Sequence, residues 1–86
     1  IWGIYLKKRK LALGDRNMIG ARVTEARLAK GTKQNELLVK LQTVGIEIST
    51  PALSVLESQK RPVSDIELNA IANVLNASVD WLLSRE

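Results

Sequence analysis

A short basic turn follows a predicted helix in the middle of the chain, and its side chains offer the chemistry of phosphate binding. The helix reads TPALSVLE and the turn reads SQKRP, which places Lys60 and Arg61 just beyond the helix. Another short predicted helix precedes them. In DNA-reading modules one helix braces on the backbone, the next enters the major groove, and cations beyond it meet phosphates. This order of elements predicts nucleic-acid binding.

Most enzyme and metal chemistry is excluded by what the chain lacks. It contains no Cys and no His, so the usual zinc sites, Ser-His and Cys-His nucleophile systems and imidazole acid-base catalysis are all missing. The acidic residues form no carboxylate pair suited to acid-base work. We therefore expect no enzyme, no metal and no cofactor.

Length and hydropathy indicate one soluble domain. The 86 residues support a single core. The apolar runs are far shorter than the ~20 residues that span a bilayer, and the first residues lack the order of a signal peptide. The absence of Cys is compatible with a reducing compartment. We expect a cytoplasmic protein without a membrane partner.

The positive charge lies at one end of the chain. The formal net charge is +4, and residues 1–18 carry five basic residues and one acidic residue, whereas residues 19–86 carry eight of each. DNA affinity of the globular part must therefore come from local clustering of charge.

Hydrophobic spacing and capping residues predict five helices. The first runs from Ile19 to about Lys30 and the second from Thr32 to Leu41, with Gly31 suited to the left-handed position between them. A turn around Gly45 leads to a third helix at about 50–58, which begins where Thr50 precedes proline.

The last two helices have the clearest signals. Ser64 and Glu67 form a capping box before a regular amphipathic pattern, Asn76 can take a left-handed turn, and Ser78 can cap a short final helix. We predict a compact all-α domain over 18–86, preceded by an arm over 1–17 that is either functional or an added or upstream sequence.

The residues from 18 to 83 resemble the lambda-repressor-like, or XRE-type, helix-turn-helix domains. The matching pieces are IGARVTEAR, KQNEL, LESQKRP and SDIELNAIANVLNASVDWLL. The turn QTVGIEIS is about five residues longer than the typical family turn and resembles a subgroup with G-I-E-I-S there. The resemblance implies a five-helix DNA-binding domain.

The resemblance also implies roles for particular residues. Gln34 would hold a phosphate with help from the helix dipole, and Lys60 and Arg61 would hold another. Arg27 and Glu57 match a pair that links the first and third helices inside the fold, so we interpret them as structural. The full set of expected DNA-contacting residues is Gln34, Thr50, Pro51, Ala52, Ser54, Val55, Gln59, Lys60 and Arg61.

The expected base-reading face leaves two alternatives open. Bases are usually read by Arg, Lys, Asn or Gln, but the outward stripe consists of Pro51, Ala52 and Val55, with Thr50, Ser54 and Gln59 beside it. Contact with thymine methyl groups or readout of DNA shape is compatible with this stripe, and so is weak specificity. An apolar stripe also suits a protein partner, as in an antitoxin-like module that binds a toxin-like protein.

The arm also leaves alternatives open. Its basic residues could grip the DNA backbone, anchor the chain at a membrane surface with Trp2 and Tyr5, or have no role.

We predict a bacterial or phage-type, sequence-specific transcription regulator that acts like a repressor. It would bind double-stranded DNA as a homodimer on adjacent half-sites.

Overall fold

A computed structural model describes residues 13–85 and contains five helices, which confirms the prediction of an all-α chain for this range. Expectations that concern residues 1–12 or Glu86 lie outside the described residues. In chain order the helices are α1 Gly20–Ala29, α2 Gln34–Thr43, α3 Thr50–Glu57, α4 Asp65–Leu75 and α5 Val79–Leu82.

The helices surround one hydrophobic core. α1 packs against α3, α4 and α5, while α2 packs against α3 and α4. The largest fully buried side chains come from all five helices: Val23, Leu37, Leu41, Leu53, Leu56, Ile71, Leu75 and Leu82. Apolar residues of α2, α3 and α4 therefore meet in a shared interior, with Leu38 and Leu68 only partly buried.

Serine hydroxyls begin the last three helices. Ser49, Ser64 and Ser78 accept hydrogen bonds from Ala52, Glu67 and Trp81 backbone N–H groups, at 3.3, 3.2 and 3.0 Å. The Glu67 carboxylate returns a bond to Ser64 N–H at 3.0 Å, so the predicted capping box is present. These bonds satisfy N–H groups that have no partner inside the helix.

The start of α2 differs from the prediction of a helix from Thr32. Thr32 N–H donates to the Arg27 carbonyl at 3.0 Å, and Gly31 takes the left-handed conformation with φ of 66°. Because Thr32 still belongs to the end of α1, α2 begins at Gln34 and Lys33 precedes it. The Glu36 carboxylate accepts the Lys33 N–H at 2.7 Å and supports this later start.

The helices end at residues with positive φ. Gly31 and Asn76 occupy these positions, as the sequence predicts, and so do Gly45, which was predicted only as a turn, and Gln59 and Ser84. At the end of α3, Lys60 N–H donates to the Val55 carbonyl at 2.8 Å and Gln59 N–H to the Leu56 carbonyl at 3.0 Å. This pair of bonds is the Schellman motif, which glycine usually ends. A left-handed glutamine costs roughly 1–2 kcal/mol, so its side chain must compensate.

Candidate nucleic-acid interface

One side of α3 lies in the core and the other faces solvent. Leu53, Leu56 and Glu57 are buried, while Thr50, Pro51, Ser54 and Val55 are exposed and Ala52 is partly buried. The expected contact residues of α3 thus share an accessible surface. Val55 is 39% exposed, and the surface contains hydroxyl and apolar groups without a charge.

A buried carboxylate on α3 joins three helices. Glu57 is only 6% exposed and accepts Arg27 Nε and Nη2 at 3.0 and 3.1 Å. Thr24 Oγ1 on α1 donates to it at 3.2 Å, and so does Gln34 Nε2 on α2 at 3.2 Å. A buried charge is tolerated only when it is paired and hydrogen-bonded. The network therefore sets where α3 lies relative to α1 and α2.

The structure gives Arg27 and Gln34 structural bonds. Arg27 Nη1 also donates to the Thr32 carbonyl at 3.0 Å, which ties the α1–α2 turn to the same network. Gln34 is half-buried and uses one amide hydrogen on Glu57. An amide nitrogen has a second hydrogen, so Gln34 can contact Glu57 and an anion together.

Lys60 and Arg61 lie side by side in sequence but in different surroundings. Lys60 is exposed and belongs to neither of the two ion pairs formed among residues 13–85. Arg61 Nη2 lies 3.1 Å from Glu67 Oε2 on α4. Arg61 Nη1 is buried and has no hydrogen-bond partner among the described residues. Of these two cations, Lys60 is thus the more available to a phosphate.

Glu67, the partner of Arg61, has a pKa below the usual value for a glutamate. Burial by itself would raise the pKa of Glu67, but hydrogen bonds from Ser64 N–H and from Arg61, together with the Arg61 charge, lower it overall. The carboxylate stays ionised and holds both the start of α4 and the Arg61 side chain.

Residues 14–17 cover the carbonyl end of α3. Gly14 N–H donates to the Ser58 carbonyl at 2.9 Å and Arg16 N–H to the Gln59 carbonyl at 3.0 Å. In return, Gln59 Nε2 donates to the Asn17 carbonyl at 2.9 Å and the Gly14 carbonyl at 3.4 Å. Gln59, expected to contact DNA, has its amide nitrogen engaged within the domain.

Asn17 is a residue at this interface that the sequence analysis did not single out. Its Nδ2 donates to the carbonyls of Leu56 at 3.1 Å and Arg61 at 2.8 Å. Its Oδ1 accepts the N–H groups of Ile19 at 3.1 Å and Gly20 at 2.9 Å. An asparagine just before a helical pattern is a capping signal, but no local signal indicates its bonds to residues some forty positions away.

Two glycines allow this close packing. A Cβ on Gly14 would lie 2.3 Å from the Gln59 carbonyl oxygen and 3.0 Å from Lys60 Cγ. A Cβ on Gly20 would lie 2.5 Å from the Leu56 carbonyl oxygen. All three distances are shorter than van der Waals contact. Only glycine therefore fits at these two positions, where the backbone meets the end of α3.

Other kinds of site have little support in the described range. Among residues 13–85, no group of three or more acidic side chains is arranged to hold a metal ion. No helix in the same range is long and apolar enough to cross a membrane.

Comparisons of this chain with protein-family models, with curated proteins and with solved structures gave no match.

Proposed function

We propose that this chain is a DNA-binding regulator of the lambda-repressor-like kind, with α3 in the major groove. The observation that carries the proposal is the arrangement of α3. Its inner side is held by the core and the Glu57 network, its outer side is exposed, and Lys60 follows its end. A helix presented in this way, with a cation beyond it, suits contact with bases and phosphate.

In this proposal the residues have distinct tasks. Lys60 holds a phosphate, and Gln34 holds another with its free amide hydrogen. Thr50, Pro51, Ser54 and Val55 face the bases, where a hydroxyl can bond to a base edge and an apolar group can meet a thymine methyl. Arg61 contributes charge while it remains bonded to Glu67.

Regulation would follow from occupancy. Two copies on adjacent half-sites would block or reposition a polymerase. With few cations beside α3, a single copy would bind weakly, and pairing would raise its affinity through effective concentration.

The direct test is titration of fluorescent duplex DNA at several salt concentrations with the full chain. We expect binding that weakens linearly on a log-log plot, because phosphate contacts release counterions. Lys60→Ala should reduce the slope by about one. The matched control is Lys30→Ala, since Lys30 borders a depression with Leu75 and Trp81, and α3 contributes no residue to it.

A second candidate is binding of a protein partner through the same surface. The exposed apolar side chain of Val55, 39% accessible, favours it, as does Ile66, which is 70% accessible and lines a depression together with Ala52 of α3. Absence of salt-dependent DNA binding by the wild-type chain would refute the DNA proposal and leave this candidate.

A further inference from the structure

We propose that residues 14–17 form the C-terminal cap of α3 and thereby position Lys60 for phosphate contact, with Asn17 as the positioning residue. The inference rests on the proposed DNA-binding function and adds to it. It assigns a binding role to a segment that precedes the first helix and lies more than forty residues before Lys60 in sequence.

Residues 14–17 donate hydrogen bonds to carbonyl groups at the end of α3. A helix leaves its last carbonyls without intrahelical partners. At α3 the Schellman bonds already occupy the Val55 and Leu56 carbonyls, and Asn17 adds a second bond to the Leu56 carbonyl. Just beyond the helix, the Ser58 and Gln59 carbonyls accept bonds from the Gly14 and Arg16 N–H groups. The end of α3 therefore has an external cap, supplied by a separate part of the chain.

The Asn17 side chain uses its full capacity for hydrogen bonds. An asparagine amide offers two hydrogens and an oxygen with two lone pairs. All four are used: the hydrogens on the Leu56 and Arg61 carbonyls, and the oxygen on the Ile19 and Gly20 N–H groups. One side chain thus joins the start of α1, the last turn of α3 and the turn after it.

Residues 14–17 hold the backbone on both sides of Lys60. Its backbone lies between the two Asn17 acceptors in sequence, and a Cβ on Gly14 would lie only 3.0 Å from Lys60 Cγ. The left-handed Gln59 immediately before it is bonded through its side chain to the same segment. With the backbone held on both sides, the Lys60 side chain leaves from a defined point, which reduces the ordering needed when it binds phosphate.

The test uses Asn17→Ser in the full chain. Serine keeps an oxygen for the N–H groups that begin α1 but cannot reach the Leu56 and Arg61 carbonyls, and the charge does not change. The control is Asn76→Ala, which removes a favourable left-handed residue at the far end of α4, about 16 Å along that helix. Both are measured at a temperature where each variant is folded.

Two readouts separate positioning from stability. We expect Asn17→Ser to lose hydrogen-exchange protection at Gly14, Arg16 and Lys60, to bind duplex DNA about 3- to 10-fold more weakly at low salt, and to have a salt slope smaller by about one. Asn76→Ala should keep the wild-type affinity and slope.

A second variant covers the case in which Asn17→Ser does not fold. Gln59→Gly suits the left-handed backbone but removes the side-chain bonds to residues 14 and 17. We expect it to fold, with weakened exchange protection at Gly14 and a smaller salt slope.

The outcomes distinguish the two proposals. Wild-type affinity and slope in Asn17→Ser or Gln59→Gly, despite lost protection at Gly14, would overturn the positioning role while DNA binding stands. Unchanged protection would overturn the cap itself. A wild-type chain that fails to bind DNA would instead refute the proposed function and, with it, the role in phosphate contact.

Discussion

Glu57 shows how one buried carboxylate can hold a helix in place against two others. It receives four hydrogen bonds from three side chains on α1 and α2. The pair with Arg27 was expected from a family resemblance, and the structure adds Thr24 and Gln34. Gln34 is therefore a structural residue in addition to any contact with phosphate.

Removal of Arg27 should strongly destabilise the fold. Arg27→Ala leaves the buried Glu57 carboxylate without its cation, and we expect the free energy of unfolding to fall by about 3–5 kcal/mol. Denaturant titration measures it. Arg61→Ala is the comparison and should cost less, because the Arg61–Glu67 pair is 29% and 16% exposed. Equal losses in the two variants would refute the prediction that the Arg27–Glu57 pair contributes more to stability than the Arg61–Glu67 pair.

Glu67 predicts a specific dependence of stability on pH. Because its folded pKa lies below the usual value of about 4.5, it contributes stability above that pH, which is lost as pH falls through the folded pKa. Glu67→Gln should cost roughly 0.5–1 kcal/mol at pH 6 and much less at pH 3.

Unfolding by urea at both values of pH measures this effect. Glu25→Gln is the control, since Glu25 is exposed and belongs to neither ion pair of the described range. A cost for Glu67→Gln that is the same at pH 3 and pH 6 would contradict the role of its ionised form.

At the scale of elements, local sequence signals predicted where the helices lie but not which parts of the chain contact each other. Ser64 with Glu67, Gly31 and Asn76 predicted ends that the structure contains. The start of α2 was wrong by two residues because Thr32 completes the end of α1. No spacing rule indicated that the chain before α1 would pack on the end of α3.

The close approach of α1 to α3 can be tested at Gly20. Glycine to alanine within a helix normally stabilises by about 0.5–1 kcal/mol. Here a Cβ would lie 2.5 Å from the Leu56 carbonyl oxygen, so we expect Gly20→Ala to destabilise by about 1–3 kcal/mol. Thermal unfolding measures the change. Asn69→Ala, at an exposed position within α4, should have little effect, and a stabilised Gly20→Ala would show that α1 and α3 can move apart.

At the scale of the whole molecule, the net positive charge lies in residues 1–12 and not in the part of the chain that contains α3. Residues 13–86 carry nine basic and nine acidic residues, whereas residues 1–12 carry four basic residues and none of opposite sign. The α3 surface has no charge, so it can supply contact with bases but little attraction at long range. In the proposed function the attraction would come from cations outside α3, which include Lys60, exposed lysines such as Lys33 and Lys40, and the basic residues of 1–12.

Neutralising the first residues should therefore change the response to salt. We expect a full chain with Lys7, Lys8, Arg9 and Lys10 all changed to Gln to bind duplex DNA with a salt slope smaller by up to about four. The same titration at 50 to 200 mM salt measures it, with Lys30→Ala as the single-charge control. An unchanged slope would assign the phosphate contacts to the domain and leave the basic residues of the arm without a role in DNA binding.

The sequence by itself determined five helices and the left-handed ends at Gly31 and Asn76, because capping and periodicity act over a few residues. It also determined that metal sites built on Cys or His are excluded. Only the tertiary structure decided which polar side chains remain available. Gln34, Gln59 and Arg61 form bonds within the domain, while Lys60 stays exposed and Asn17 joins the start of α1 to the end of α3. The physical reason is that buried carbonyl and carboxylate groups must find hydrogen-bond partners, and these partners are distant in sequence.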